Sequence, residues 1–251
     1  MIRRTLWFAT AYTLVIIVHE TAHALTSAAF GLETTLYHFW VNIDPANTAT
    51  VAQRAAYGTA GPIASLLLGV GAWLVYRIRP QSAAAMPLLL LAAIGIGNFF
   101  GNLMSTAFIG DFSNVARWLG LPMGARYAVS IVGVIASAAV PFLAGRELAQ
   151  WTPAHASRMS AAFTAVVLPV LMGTVIIILV NQPIPFVGFT EFAVARAAES
   201  GFWLFAAAGL ITAARTSTHN GTMLRLRWHD GAVAALTVAT VRVMALGIPL
   251  S

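Results

Sequence analysis

The sequence contains no cysteine and no lysine, and charged residues fill only 9% of its 251 positions. Without cysteine there is no disulfide and no thiolate metal site, so any metal ligand must be His, Asp or Glu. All fourteen basic residues are arginine, which reflects base composition and not mechanism. A soluble domain carries about 25% charged residues, far more than this chain. Apolar residues make up 59% of the sequence and the mean hydropathy is +0.81. No soluble core could hide that much apolar surface, so the solvent is largely lipid. The net charge of +6 is spread over short loops and chain ends. It suits anionic lipid headgroups, and with no basic run carrying interleaved aromatics it excludes nucleic acid as a partner.

A membrane-crossing helix takes about 20 apolar residues. Six segments qualify, at roughly 5–30, 57–78, 86–109, 126–146, 160–180 and, shorter, 200–214. The run from Thr5 to Phe30 is too long for a cleavable leader and is expected to be retained. The fold expected is therefore all-α and polytopic, an integral multi-pass protein, most simply of a bacterial cell membrane. Its organisation reads as a core over 1–125, additional membrane helices over 126–215, and a tail over 216–251. Two stretches have strand composition. Residues 36–43 (LYHFWVNI) are aromatic and β-branched. Residues 221–246 read as a C-terminal hairpin, with Leu224 to Trp228 alternating, His229-Asp230-Gly231 as the turn, and Leu236 to Met244 rich in β-branched residues. The rival is a seventh span over 232–250, which would bury Arg242.

The first span carries His19-Glu20-Thr21-Ala22-His23. Side chains four apart share a helix face, so both imidazoles can reach one ion. Glu20 lies about a third of a turn away, within reach of a water at that ion. Zinc takes such ligands, and a neighbouring carboxylate can accept the proton as water attacks a carbonyl. Six His and five Glu give about 0.003 chance occurrences of the pattern in a chain of this length. These three are also the only charged or imidazole side chains well inside the first five spans, where such groups are costly and usually functional. The structural alternative is a polar cluster that only joins helices.

Two His leave one protein ligand to find. The candidates are Glu33, Asp44, Asp111, Glu147, Glu191, Glu199 and Asp230. Asp111 stands out, because spans one and three run in the same direction and end on the same side. Asn98, Asn102, Ser105 and Thr106 make a polar stripe on the third span, as the lining of a wet site would. The competing role for Asp111 is a cap on the helix that follows it. One geometric condition applies: His23 lies about 10 Å inside its span. Asp111 can meet it only if the third span unwinds near Gly101 or sits offset along the membrane normal.

Together, the His-Glu motif in a membrane helix, Ala60-Gly61-Pro62-Ile63-Ala64 in the second helix and an Asp closing the third resemble the site-2 protease family of intramembrane zinc metalloproteases. The resemblance covers roughly residues 10–125. It implies His19 and His23 as zinc ligands, Glu20 as the catalytic base, Asp111 as the third ligand and Asn102 as a substrate-contacting residue. It also implies that the strand-like segment 36–43 offers an edge to an unwound substrate. Ser105 stands where the family usually has Pro, the Asn–Asp spacing is one longer, and Phe112 follows the Asp, which marks a divergent branch. Arginine is concentrated on the N-terminal side (Arg3, Arg4, Arg77, Arg79, Arg146, Arg158, Arg215, Arg225, Arg227) over the other (Arg54, Arg117, Arg126, Arg196). That places the N-terminus in the cytoplasm. The resemblance implies the opposite orientation, and the question stays open here.

The function expected is an intramembrane zinc endopeptidase, with Zn2+ as cofactor. It would cut a transmembrane protein substrate in or near its membrane segment, within the lipid bilayer. Two other classes compete: a non-hydrolytic relative that binds metal through the same residues, and a small transporter in which the motif is coincidental. Glu20 favours the enzyme, since two His and an Asp hold a metal without it. No internal repeat supports a transporter.

Overall fold

A computed structural model describes residues 1–44, 49–152, 157–182, 189–213 and 226–250. The protein is an all-α polytopic membrane protein, and its described residues include a small three-stranded antiparallel sheet. Among the described residues, six helical stretches are long and apolar enough to cross a membrane: Ile2–Ala29, Val51–Ile78, Ala85–Ala107, Met123–Trp151, Arg158–Val180 and Phe192–Thr212. The helices are α1 (Ile2–Ala29), α2 (Val51–Ile78), α3 (Ala85–Met104), α4 (Asp111–Trp118), α5 (Met123–Leu148), α6 (Arg158–Ala162), α7 (Leu168–Val180), α8 (Phe189–Gly201), α9 (Leu204–Thr212) and α10 (Trp228–Met244).

The motif helix is the central one. α1 packs on α2, α3, α7 and α10. Its polar residues Thr10, Thr13, His19, His23 and Ser27 are buried in protein, where partners are available, and not turned to lipid. The sixth crossing begins earlier than its apolar run suggests. Arg196 and Glu199 interrupt the hydropathy before Ser200, but they pair with each other at 2.5 Å and continue the helix.

Residues 36–43 form a hairpin, not one strand. β1 (Glu33–Tyr37) pairs with β2 (Trp40–Asp44) through a two-residue turn at His38 and Phe39. The turn is fixed by its side chains: His38 Nε2 meets the Asn181 carbonyl at 2.8 Å, and Phe39 packs edge-on against Phe192. The sheet order is β2-β1-β3, with β3 (Ile248–Pro249) from the C-terminus on the other edge of β1.

The expected C-terminal hairpin is overturned. Residues 228–244 are the helix α10; residues 221–225 lie outside the described residues. The supposed turn residue Asp230 sits in the first helical turn, accepting from the Arg227 N–H at 2.8 Å. The β-branched run is absorbed because Thr237 and Thr240 donate back to Val233 O and Leu236 O, at 2.9 and 3.0 Å. Strand propensity is a weak preference beside the demand that backbone groups be satisfied within the segment. α10 runs parallel to α1. Asp230 bonds Arg3 at one end, and Met244 clusters with Ala24 and Leu36 at the other.

Candidate metal centre

Three side chains from α1 and α4 converge. His19 Nε2 lies 2.9 Å from Asp111 Oδ2, His23 Nε2 lies 3.5 Å from the same oxygen, and the two Nε2 atoms are 3.0 Å apart. Both histidines are buried and Asp111 is half-buried. This group could hold a metal ion. Ligand atoms about 2.0 Å from a tetrahedral zinc stand about 3.3 Å from one another, and the three separations bracket that value.

The outer nitrogens fix the direction of the inner ones. His23 Nδ1 is 2.5 Å from the Tyr57 carbonyl, which can only accept, so Nδ1 carries a proton and Nε2 is the nitrogen turned toward Asp111 and His19. His19 Nδ1 is held by Asn98 Oδ1 at 3.0 Å and Ser65 Oγ at 3.2 Å. Metal-binding imidazoles are oriented by such hydrogen bonds on the far nitrogen.

Gly61 accounts for the small residue in Ala60-Gly61-Pro62. A Cβ there would collide with His23 Nε2 and come within 2.8 Å of His19 Cδ2. Only glycine lets α2 press against the imidazole pair.

The geometric condition on Asp111 is met by a chain reversal. α3 ends at Met104, one tight turn follows at Ser105–Ala107, and Gly110 takes φ +97° before α4 begins. α4 packs back against α2, with Val115 and Trp118 over Gly58. That return brings Asp111, at the start of α4, back to the level of the histidines. α3 itself does not unwind at Gly101, and Asn98 reaches His19 from within the regular helix. The N-cap position belongs to Gly110, and no side chain caps this end. Asp111 therefore faces the histidines instead of capping. Burial pushes its carboxyl upward, but hydrogen bonds from His19 and His23 outweigh burial and hold it well below the usual carboxylate range.

The other acidic candidates with described partners are engaged elsewhere. Glu147 accepts from Tyr76, Asp230 from Arg3 and Trp7, and Glu199 from Tyr12. Glu20 is half-buried on α1, accepts no hydrogen bond among the described residues, and interacts electrostatically with His19, His23 and Asp111. Asn102 makes no hydrogen bond to His19, His23 or Asp111 among the described residues; its amide donates to Asn98 O at 3.1 Å and it lines an adjoining cavity. Ser65 and the Tyr57 carbonyl were not singled out from sequence. A backbone carbonyl carries no residue-type signal, and Ser65 resembles any other small residue of a packed membrane helix.

Two imidazoles and one carboxylate are a donor set that zinc and other divalent first-row metals accept. Comparison with known proteins finds no matching family model, no matching curated protein and no matching solved structure.

Proposed function

We propose that this protein is an intramembrane zinc metalloendopeptidase, resembling the site-2 proteases, that hydrolyses a peptide bond in or near a transmembrane segment of another protein. The observation that carries the reading is the inward convergence of His19 Nε2, His23 Nε2 and Asp111 Oδ2, beside a carboxylate that has no other task. Zinc, when bound, supplies Lewis acidity and lowers the pKa of water in its shell to about 7. His19, His23 and Asp111 would hold it, and Tyr57, Asn98 and Ser65 would keep the imidazoles aimed. Glu20 would take a proton from the attacking water onto its carboxylate and deliver it to the leaving amine nitrogen. The burial of both histidines keeps bulk water from competing at these atoms.

The test is Glu20→Gln, co-expressed with a panel of single-pass membrane proteins. Cleavage should disappear while zinc stays bound, since acid–base catalysis is worth about 10²–10⁴ in rate. Equal cleavage by both proteins would remove Glu20 as the base. Zinc in both with cleavage by neither would favour a metal-binding protein without hydrolytic activity.

A further inference from the structure

A cavity of about 410 Å3 lies between α1, α3, α5 and α8, within the range of ligand pockets. It adjoins the metal centre: the three ligands do not line it, but Asn98, which holds His19, and Gly110, which precedes Asp111, both do. Its far end is formed by Tyr12, Arg196 and Glu199. Tyr12 stands seven residues before His19 on α1, a separation of about 10 Å.

Two features of the lining are unexplained by packing. Gly97 and Gly101 lie one turn apart on α3, each costing about 1 kcal/mol of helix stability relative to alanine. A Cβ at either would meet nothing within 4 Å, whereas Gly69 and Gly95, where α2 crosses α3, are pressed against neighbouring backbone. These two glycines hold space open. At the far end, Glu199 accepts from Tyr12 at 2.6 Å and Arg196 at 2.5 Å, both on Oε2. Its Oε1 accepts no hydrogen bond among the described residues, and the side chain is 48% exposed. A lipid acyl chain in this cavity would cover Glu199 Oε1 without giving it a donor, a desolvation cost that a peptide's own polar groups avoid.

We infer that this cavity is the substrate side-chain pocket, taking an apolar stretch of the cleaved segment next to the scissile bond, with Glu199 selecting a hydrogen-bond donor or cation about 10 Å from the metal. The inference rests on the zinc-peptidase reading above and adds a specificity to it. Three probes separate the two: acetohydroxamate, octanohydroxamate and 8-aminooctanohydroxamate, titrated calorimetrically into zinc-loaded protein. All three carry the same metal-binding head, the second adds a chain for the cavity, and the third adds a donor for Glu199.

In the wild type, octanohydroxamate should bind at least about tenfold tighter than acetohydroxamate, through burial of its chain. The double variant Gly97→Leu/Gly101→Leu fills the space and favours the helix, so it should keep its zinc and its acetohydroxamate affinity and lose that advantage. Glu199→Gln should weaken the amino compound about tenfold and leave octanohydroxamate unchanged. An octanohydroxamate advantage that survives both leucines overturns the pocket while leaving the peptidase reading intact. Equal amino-probe affinity in wild type and Glu199→Gln overturns the role of Glu199. Failure of acetohydroxamate to bind zinc-loaded wild type overturns the peptidase reading, and the pocket with it.

Discussion

The Nε2 atoms of His19 and His23 face each other at 3.0 Å while each Nδ1 turns outward to a fixed partner. Two neutral imidazoles in this pose direct lone pairs at each other, which is unfavourable unless a proton or a cation sits between them. The arrangement is built in from three sides: the four-residue spacing on α1, the Tyr57 carbonyl, and the bare backbone of Gly61.

Removing Asp111 takes away the one negative ligand. Asp111→Ala should lower zinc affinity by at least about tenfold and reduce any cleavage with it. Unchanged metal content and activity would return Asp111 to a structural role. Acid stability offers a second check on zinc-free protein. The folded carboxyl is held below its ordinary value, near 3.9 in an unfolded chain. Its contribution is therefore fully present above about pH 4 and is lost as pH falls through the lowered value. Thermal melts in chelator from pH 7 to pH 3 should show a stability advantage of wild type over Asp111→Asn that shrinks only at the acid end.

Gly61→Ala is expected to damage the metal centre without unfolding the bundle. The added methyl collides with the His23 ring, so the imidazole must swing away from Tyr57 O. Zinc affinity should fall while the far-ultraviolet circular dichroism stays that of the wild type. A variant with full zinc occupancy would show that α2 yields easily at this point.

Much of this centre was legible in the sequence. His19, Glu20 and His23 are recognisable because helical spacing is fixed by backbone geometry, and Asp111 because polar residues on α3 pointed to a wet lining. How Asp111 gets there was not legible. The reversal depends on a positive φ at Gly110 and on α4 docking against Gly58, both tertiary facts. The C-terminus was misread for a related reason. Leu236 to Met244 has strand composition, but its hydroxyls bond within the helix and α1 lies alongside. Glu199 was read only as a candidate ligand, since nothing in sequence reveals that Tyr12 and Arg196 meet it.

The parallel course of α10 beside α1 gives a topological prediction. The ends of α10 should lie on opposite sides of the membrane, as a seventh crossing. The absence of cysteine makes single-cysteine labelling clean. Trp228→Cys and Leu246→Cys, both sites 84% exposed, should react with an impermeant maleimide from opposite faces of sealed vesicles. Labelling from one face would place α10 along the membrane surface.

Arg3 and Asp230 fasten α10 to the start of α1, at 2.9 Å with both side chains buried and Trp7 donating to the same carboxylate at 2.7 Å. Breaking a buried pair by removing one partner costs about 3–5 kcal/mol. Asp230→Ala should therefore lower the thermal midpoint markedly while zinc binding per folded chain persists. A melting curve equal to wild type would mean that this pair contributes nothing to holding α10.

Metal content tests the central claim most directly. The protein, purified in detergent without chelator and analysed by elemental mass spectrometry, should carry about one zinc per chain, and His23→Ala prepared alongside should carry little or none. Wild type with no zinc above background, or His23→Ala with as much zinc as wild type, would contradict the account.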